Sequence, residues 1–325
     1  MRALLVEALG PPEAHRIAEL PDPQPGDGEV VVDVKAAGVN FPDLLVMRGH
    51  YQVRPDLPFV PGAEGSGVVA AVGPGVESHQ LGDEVSFVTV TGAFAEKVRL
   101  PAAMLLPKAP EHSFTEAAAF SLTFATSYYA LKQRARVQPG DTIAVLGAAG
   151  GVGAAAVELG KVMGATVIAA AGTDEKLEFA SSLGADAGIN YTKSDLKEAI
   201  RQHTAMGGAD VVYDPVGGPF TEPALRATAW DGRYLVVGFA AGDIPSIPLN
   251  LILLKGINVL GVYWGSWAER HPAANLQNYR ELLAMISRGD IAPRIAGEFP
   301  LEDFAGAFAV ISSRQALGKV VLDLS

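Results

Sequence analysis

A short run of small residues offers the first chemistry in this chain. Between the apolar segment TIAVL and the Ala-rich segment VGAAAVELGKVMG stand Gly147, Gly150, Gly151 and Gly153, with Val152 among them. Glycines spaced this way, after a strand and at the opening of a helix, let the backbone approach a pyrophosphate. Its charge is favoured there by free N–H groups and by the positive end of the helix dipole. Tight strand–helix packing alone would also ask for small residues, but a second apolar run, ATVIAAAG, follows at the spacing of a βαβ unit and favours dinucleotide binding. The end of that second run selects the nucleotide. An NAD binder puts a carboxylate there for the adenosine ribose hydroxyls, whereas this chain reads Ala169 to Gly172 and then Thr173. Asp174 is the nearest acid, and its place before Glu175 and Lys176 suits the first turn of the next helix. Lys176 could then meet a 2′-phosphate. NADPH is therefore the expected cofactor, with NAD held through Asp174 as the alternative.

Composition removes most other chemistry. The chain has no cysteine, so disulfides, thiolate nucleophiles and sulfur-based metal sites are all absent. None of its six histidines has another four residues on, the spacing that would aim two ligands from one helix face, and no metal is expected. Gly65-Ser66-Gly67 suggests a hydrolase elbow, but Glu64 occupies the place of its first glycine and the segment is strand-like. A net charge of -11 repels phosphate backbones and anionic lipid, which argues against nucleic-acid and membrane partners. The N-terminal apolar run is broken by Glu7 with no small-residue cleavage site beyond it, and reads as a strand and turn. The longest uncharged apolar stretch, Ile143 to Val157, falls short of the roughly 20 residues of a membrane span, so a cytoplasmic setting is expected.

The elements that must position the glycine loop follow from period and punctuation. A length of 325 residues and a hydrophobic share of 49% suit two domains with sizeable cores. Up to about residue 100, short Val-rich runs alternate with Gly, Pro and Asp turns, as in a compact antiparallel β region. From Ser113, with Glu116 at the capping-box spacing, a long Ala- and aromatic-rich helix begins. Strands then alternate with helices as far as INVLGVYW, which implies an α/β fold with a doubly wound parallel sheet of Rossmann type. The closing helices NYRELLAMISRG and LEDFAGAFAVISSR and the strand KVVLDL need a sheet to cover, and the first domain's sheet is the one available. The expected plan is thus 1–120 with 264–325 as one domain and 121–263 as the dinucleotide-binding domain. INVLGVYW, left at a sheet edge, would expose backbone groups that a two-fold mate could cover, and a homodimer is expected.

Several segments together resemble a known family. They are NFPDLLVMRGHYQ (Asn40 to Gln52), LPFVPGAEGSGVVAAVGPGV (Leu57 to Val76), Ala148 to Gly153, DVVYDPVGG (Asp210 to Gly218), and GKVVL near the end. This combination resembles the zinc-free quinone oxidoreductase branch, which includes zeta-crystallin, of the medium-chain dehydrogenase/reductase superfamily, over essentially the whole chain. The resemblance implies a mainly β GroES-like catalytic domain beside the Rossmann domain. Zinc-dependent members carry a Cys and a His as ligands where this chain has Asn40 and Ala63. Two positions depart from the branch's usual pattern, Ala144 in place of Leu and Glu158 in place of Gln.

The implied reaction is hydride transfer from NADPH to a quinone or another α,β-unsaturated carbonyl, whose developing charge spreads over an enolate and needs only hydrogen-bond donors and one acid. By resemblance Tyr51 is that acid or donor, or else an aromatic wall of the pocket. Asn40 and Thr126 would lie near the nicotinamide and orient its carboxamide or the acceptor oxygen. Asp43 would anchor its loop through Arg48 or backbone donors. Lys176, Tyr191 and Arg314 match positions around the 2′-phosphate, and GFAAG with Phe239 and VYWG with Tyr263 would flank the nicotinamide end. Two other functions stay open: an enoyl-thioester or enone reductase of the same fold, and a non-catalytic NADPH-binding protein of the crystallin or RNA-binding kind.

Overall fold

The structure, a computed structural model, describes residues 1–205 and 207–325. The chain opens with β1 (Arg2–Leu5), β2 (Arg16–Glu19) and β3 (Glu29–Val39), turns through helix α1 (Phe41–Met47), and continues with β4 (Glu64–Val72), β5 (Glu84–Val88), β6 (Lys97–Pro101) and β7 (Leu105–Pro107). Helix α2 (Phe114–Tyr129) leads into β8 (Thr142–Leu146), α3 (Gly151–Val162), β9 (Thr166–Ala171), α4 (Asp174–Ser182), β10 (Ala187–Asn190), α5 (Leu196–Gln202) and β11 (Ala209–Asp214). Then come α6 (Thr221–Arg226), β12 (Thr228–Val236), α7 (Leu249–Lys255), β13 (Asn258–Gly261), α8 (Trp264–Arg270), α9 (Pro272–Ser287), β14 (Ile295–Pro300), α10 (Phe304–Ser312) and β15 (Lys319–Asp323).

The chain divides into two compact units, Met1–Leu122 with Pro293–Ser325, and Thr123–Ala292. The division falls inside α2, whose start is fixed as its sequence predicts: the Ser113 N–H donates to Glu116 Oε2 at 2.8 Å and the Glu116 N–H returns to Ser113 Oγ at 3.2 Å. The chain rejoins the first unit at Pro293, later than the expected residue 264. The reason is local to the second unit. Trp267 on α8 stacks on Tyr129 with ring centroids 4.7 Å apart, and Glu281 on α9 accepts the Tyr128 hydroxyl at 2.5 Å and pairs with Lys132. These partners hold α8 and α9 on the end of α2 and the turn that follows it.

The first unit is built on a seven-stranded sheet in the order β14-β15-β3-β4-β5-β7, with β6 also paired to β3. The Val-rich β3 is its centre and sends Val30, Val32 and Val34 into a core shared with Phe87, Phe94 and Phe308. The C-terminal β15 lies antiparallel to β3, with Val320 opposite Val39, so the last residues of the chain complete the sheet laid down by the first. The second unit carries six parallel strands in the order β10-β9-β8-β11-β12-β13. Ile143, Ala144, Val145 and Leu146 of β8 are all fully buried, as a parallel strand covered on both faces requires. The fold is therefore the expected α/β one, with a Rossmann-type parallel sheet in one unit and a mainly β build in the other. Among the described residues no helix is long and apolar enough to cross a membrane.

Candidate functional site

In the second unit the chain runs outward from β8 through β9 to β10, then starts again on the other side at β11 and proceeds to β13. The order reverses between β8 and β11, and the carboxyl ends of strands at such a reversal are where open α/β sheets bind ligands. The glycine loop lies there. Gly147, at φ 59°, follows β8, and a Cβ on it would stand 2.9 Å from Val216 in the loop after β11. Gly150 caps α3 in an extended conformation, and no side chain caps that helix. Gly153 faces the Gly147 carbonyl so closely that a Cβ would collide with it. Its glycine serves strand–helix packing, while the uncapped N–H groups of the first turn suit an anion.

The other residues singled out in this unit follow the carboxyl ends of neighbouring strands. Thr173 comes after β9 and caps α4, accepting the Lys176 N–H at 3.3 Å. Tyr191 comes after β10; its ring meets Phe220 at 4.4 Å between centroids, and its hydroxyl lies 3.5 Å from where a Gly172 Cβ would be. Phe239 comes after β12 and lies over Gly217, and Tyr263 comes after β13 and is 53% exposed. Because β8 to β13 are parallel, Gly150, Gly151, Val152, Gly153, Thr173, Lys176, Tyr191, Phe239 and Tyr263 all gather at one edge of the sheet. Thr126 on α2 is half-buried beside Ser127, whose hydroxyl donates to the Val152 carbonyl at 2.9 Å and meets the buried Tyr213 hydroxyl at 2.9 Å. Sequence reasoning missed this Tyr213–Ser127 link, which ties α2 and β11 to the glycine loop. It also missed Asp214, buried at the end of β11, which accepts from the Val216 and Gly217 N–H groups and the Tyr234 hydroxyl.

Asp174, the alternative ribose partner, has other work. One oxygen accepts the Asn190 amide at 2.6 Å and the other pairs with Lys193, and these two contacts, Lys193 first, hold its carboxyl below the usual range. The donor set of this edge, an uncapped helix start, Thr173, Lys176 and Tyr191, matches the anionic phosphates of a dinucleotide.

The first unit holds Tyr51, half-buried against the core, together with Asn40 and Arg314. Arg314 is exposed in the turn between α10 and β15 at φ 59°. Asn40 lies in a buried polar cluster. Its Oδ1 accepts from Lys319 Nζ at 2.6 Å, while its Nδ2 donates to Glu64 Oε1 at 2.9 Å and to the Gly38 carbonyl at 3.2 Å. Both amide hydrogens are thus committed inside the unit, and Asn40 has no donor to offer an acceptor oxygen. Lys319 also binds Glu64 Oε1 at 2.6 Å and the Val39 carbonyl at 3.1 Å. Glu64 Oε2 takes the Leu122 N–H at 2.8 Å. Asp43 accepts the Asn40 N–H at 2.8 Å, the backbone donor among the expected alternatives. Its burial pushes the carboxyl up to about 7, with Asn40 and Lys319 opposing and Glu64 adding to the rise. Glu64 and Lys319 lie in the segments Leu57 to Val76 and GKVVL, 255 residues apart, and nothing local in either reveals their pairing. Among the described residues no three His, Cys, Asp or Glu side chains group as metal ligands would.

Fold and site define a medium-chain dehydrogenase/reductase, and comparison with known proteins agrees. Residues 26–111 match the alcohol dehydrogenase GroES-like domain and residues 151–286 the zinc-binding dehydrogenase family. The chain is 41% identical over 305 residues to quinone oxidoreductase-like protein 2 of Rattus norvegicus, covering 93% of this chain and 87% of the relative. The Escherichia coli quinone oxidoreductase complexed with NADPH superposes with a TM-score of 0.93 at 29% identity, over 99% of this chain and 100% of that one. The Pseudomonas syringae quinone oxidoreductase gives a TM-score of 0.92 at 34% identity, over 99% of each chain. The chain belongs to the quinone oxidoreductase-like branch of the medium-chain dehydrogenase/reductase superfamily, a family of oxidoreductases.

Proposed function

We propose that this protein is a cytoplasmic, zinc-independent NADPH:quinone oxidoreductase acting on quinones or other conjugated carbonyls. The observation that carries the reading is the gathering of the glycine loop, Thr173, Lys176 and Tyr191 at the carboxyl edge of one parallel sheet, in a chain with NADPH-bound relatives. Bound NADPH supplies a hydride. The backbone of Gly150, Gly151, Val152 and Gly153 takes the pyrophosphate, and Lys176, Tyr191 and Arg314 take the 2′-phosphate, two cations and a phenol for a dianionic group. Occupation of Asp174 by Asn190 and Lys193 supports NADPH over NAD. Thr126, Phe239 and Tyr263 serve the nicotinamide end. Tyr51 is the proton donor to the acceptor oxygen, and Asn40 with its committed amide positions rather than donates. Zinc independence draws support from Asn40 and Ala63, neither of which offers a thiolate or an imidazole.

The protein works as a homodimer in this reading. The edge strand β13 and the exposed Leu249, Leu253 and Leu254 of α7 form the surface that a second copy covers, and light scattering reporting a 33.8 kDa particle would end that part of the proposal.

The test of function is NADPH oxidation with benzoquinone and phenanthrenequinone beside crotonyl-CoA and octenone. Quinone turnover supports the proposal. Turnover of the thioester or enone alone transfers the site to enoyl or enone reduction, and tight NADPH binding with no turnover makes it a binding protein.

A further inference from the structure

We propose that the buried Glu64–Lys319 pair is a positioning device, which fixes Asn40 and the start of α1 and through them the segment that carries Tyr51. The pair is inside the protein, with Glu64 at 0% and Lys319 at 5% relative exposure. All three ammonium hydrogens of Lys319 have a partner: Glu64 Oε1, Asn40 Oδ1 and the Val39 carbonyl. Glu64 in turn holds the Asn40 amide with one oxygen and the Leu122 N–H with the other. The two charges therefore tie together the end of β3, the first residue before α1, the start of β4, the middle of α2 and the start of β15. Gly38 completes the fit, since a Cβ there would press on the Glu64 carboxylate at 2.6 Å.

A buried ion pair is a poor means of stabilising a fold, because its attraction is largely offset by the loss of water around both charges. Its value lies in direction. A charged group with every hydrogen-bond position filled admits one arrangement of its partners, whereas apolar packing admits many of similar energy. Here the arrangement fixed is that of Asn40, the N-cap of α1, and Tyr51 follows four residues after the end of that helix at Met47. Lys319 and Glu64 thus act through Asn40 and α1 and need not touch an acceptor themselves. The inference rests on the proposed role of Tyr51, but its test separates the two.

The variants are Glu64→Gln with Lys319→Met, which leaves no unpaired charge behind, and Lys319→Cys. Because the chain has no other cysteine, Lys319→Cys can be aminoethylated at that position alone in urea and refolded, which restores an ammonium of nearly lysine length. Three readouts are taken: NADPH affinity, kcat with the best quinone, and amide hydrogen exchange across residues 38–52. The double variant and unmodified Lys319→Cys are expected to keep the NADPH Kd, lose about 10- to 100-fold in kcat, and exchange at least about 10-fold faster in 38–52 than elsewhere in the first unit. Aminoethylation should return kcat and protection together. Wild-type exchange in 38–52, or faster exchange spread evenly over the first unit, overturns the proposal. If the unmodified protein turns over no acceptor, the functional reading fails while the exchange measurements still decide this one.

Discussion

Asp43 gives the first unit a measurable pH signature. Its carboxyl is buried, accepts the Asn40 N–H at 2.8 Å, and is raised from 3.8 to about 7, chiefly by burial. In the unfolded chain the same group ionises near 3.8. Between about pH 4 and pH 7 the folded protein therefore holds a proton that the unfolded chain has released, and stability from this group is complete below the unfolded value and lost as pH rises through the folded one. The interval from 3.8 to about 7, at about 1.4 kcal/mol per pH unit, gives about 4 kcal/mol. Asp43→Asn keeps the acceptor oxygen and the shape but cannot titrate. Urea unfolding of both proteins at steps from pH 4 to pH 8 should show the wild type losing stability relative to the variant, with a slope approaching about 1.4 kcal/mol per pH unit. Infrared difference spectra at pH 6 should show a protonated carboxyl that Asp43→Asn lacks. Parallel stability curves, or a wild type that gains on the variant as pH rises, would refute the reasoning, since the second pattern belongs to a carboxylate stabilised in its charged form.

Four further outcomes follow from the nucleotide-binding residues and from Tyr51. The double change Lys176→Ala, Arg314→Ala should raise the KM for NADPH by about 10-fold or more and leave NADH kinetics nearly unmoved, as each charge-assisted hydrogen bond is worth about 1.5 to 3 kcal/mol. Asp174→Ala should leave NADH use intact, because its carboxyl is held by Asn190 and Lys193. Tyr51→Phe should lower kcat by about 100-fold with the NADPH Kd unchanged if the hydroxyl donates a proton, and an unaltered kcat would assign the ring to the pocket wall. Gly153→Ala should destabilise the protein by about 1 to 3 kcal/mol and abolish nucleotide binding, because the new methyl meets backbone at the Gly147 carbonyl. A normally binding Gly153→Ala protein would show that the loop and α3 can move apart.

The second unit was legible because its signals are local. The glycine loop, the apolar runs of β8 and β9 and the Thr173 cap each lie within a few residues of the chemistry they serve, and period and turn residues locate them. The Ser113–Glu116 cap is readable for the same reason, since both halves of the bond are three residues apart. The path of residues 264–292 was not. Its amphipathic pattern says that α9 needs a surface but not which one, and the choice depends on Tyr128, Tyr129 and Lys132, more than a hundred residues earlier in the sequence. Tyr213 and Ser127 escaped notice on the same ground, as a hydroxyl pair 86 residues apart leaves no pattern in either segment.

Asn40 shows why a residue's type can mislead about its role. An asparagine in the same segment as a candidate proton donor invites the reading of a free amide, and the family pattern points the same way. The role is decided instead by two residues 24 and 279 positions away, which take one of its donors and its acceptor. An amide offers two hydrogens, and here Glu64 and Gly38 hold both. For Asn40 to donate to a substrate oxygen it would have to release Glu64, which would leave a buried carboxylate leaning on Lys319 and Leu122 alone. That loss opposes any gain from one new hydrogen bond, because stripping a partner from a buried charge costs more than a single bond returns. The amide is therefore kept where it is in every state that keeps the Glu64–Lys319 pair, and Asn40 serves the first unit by holding the start of α1.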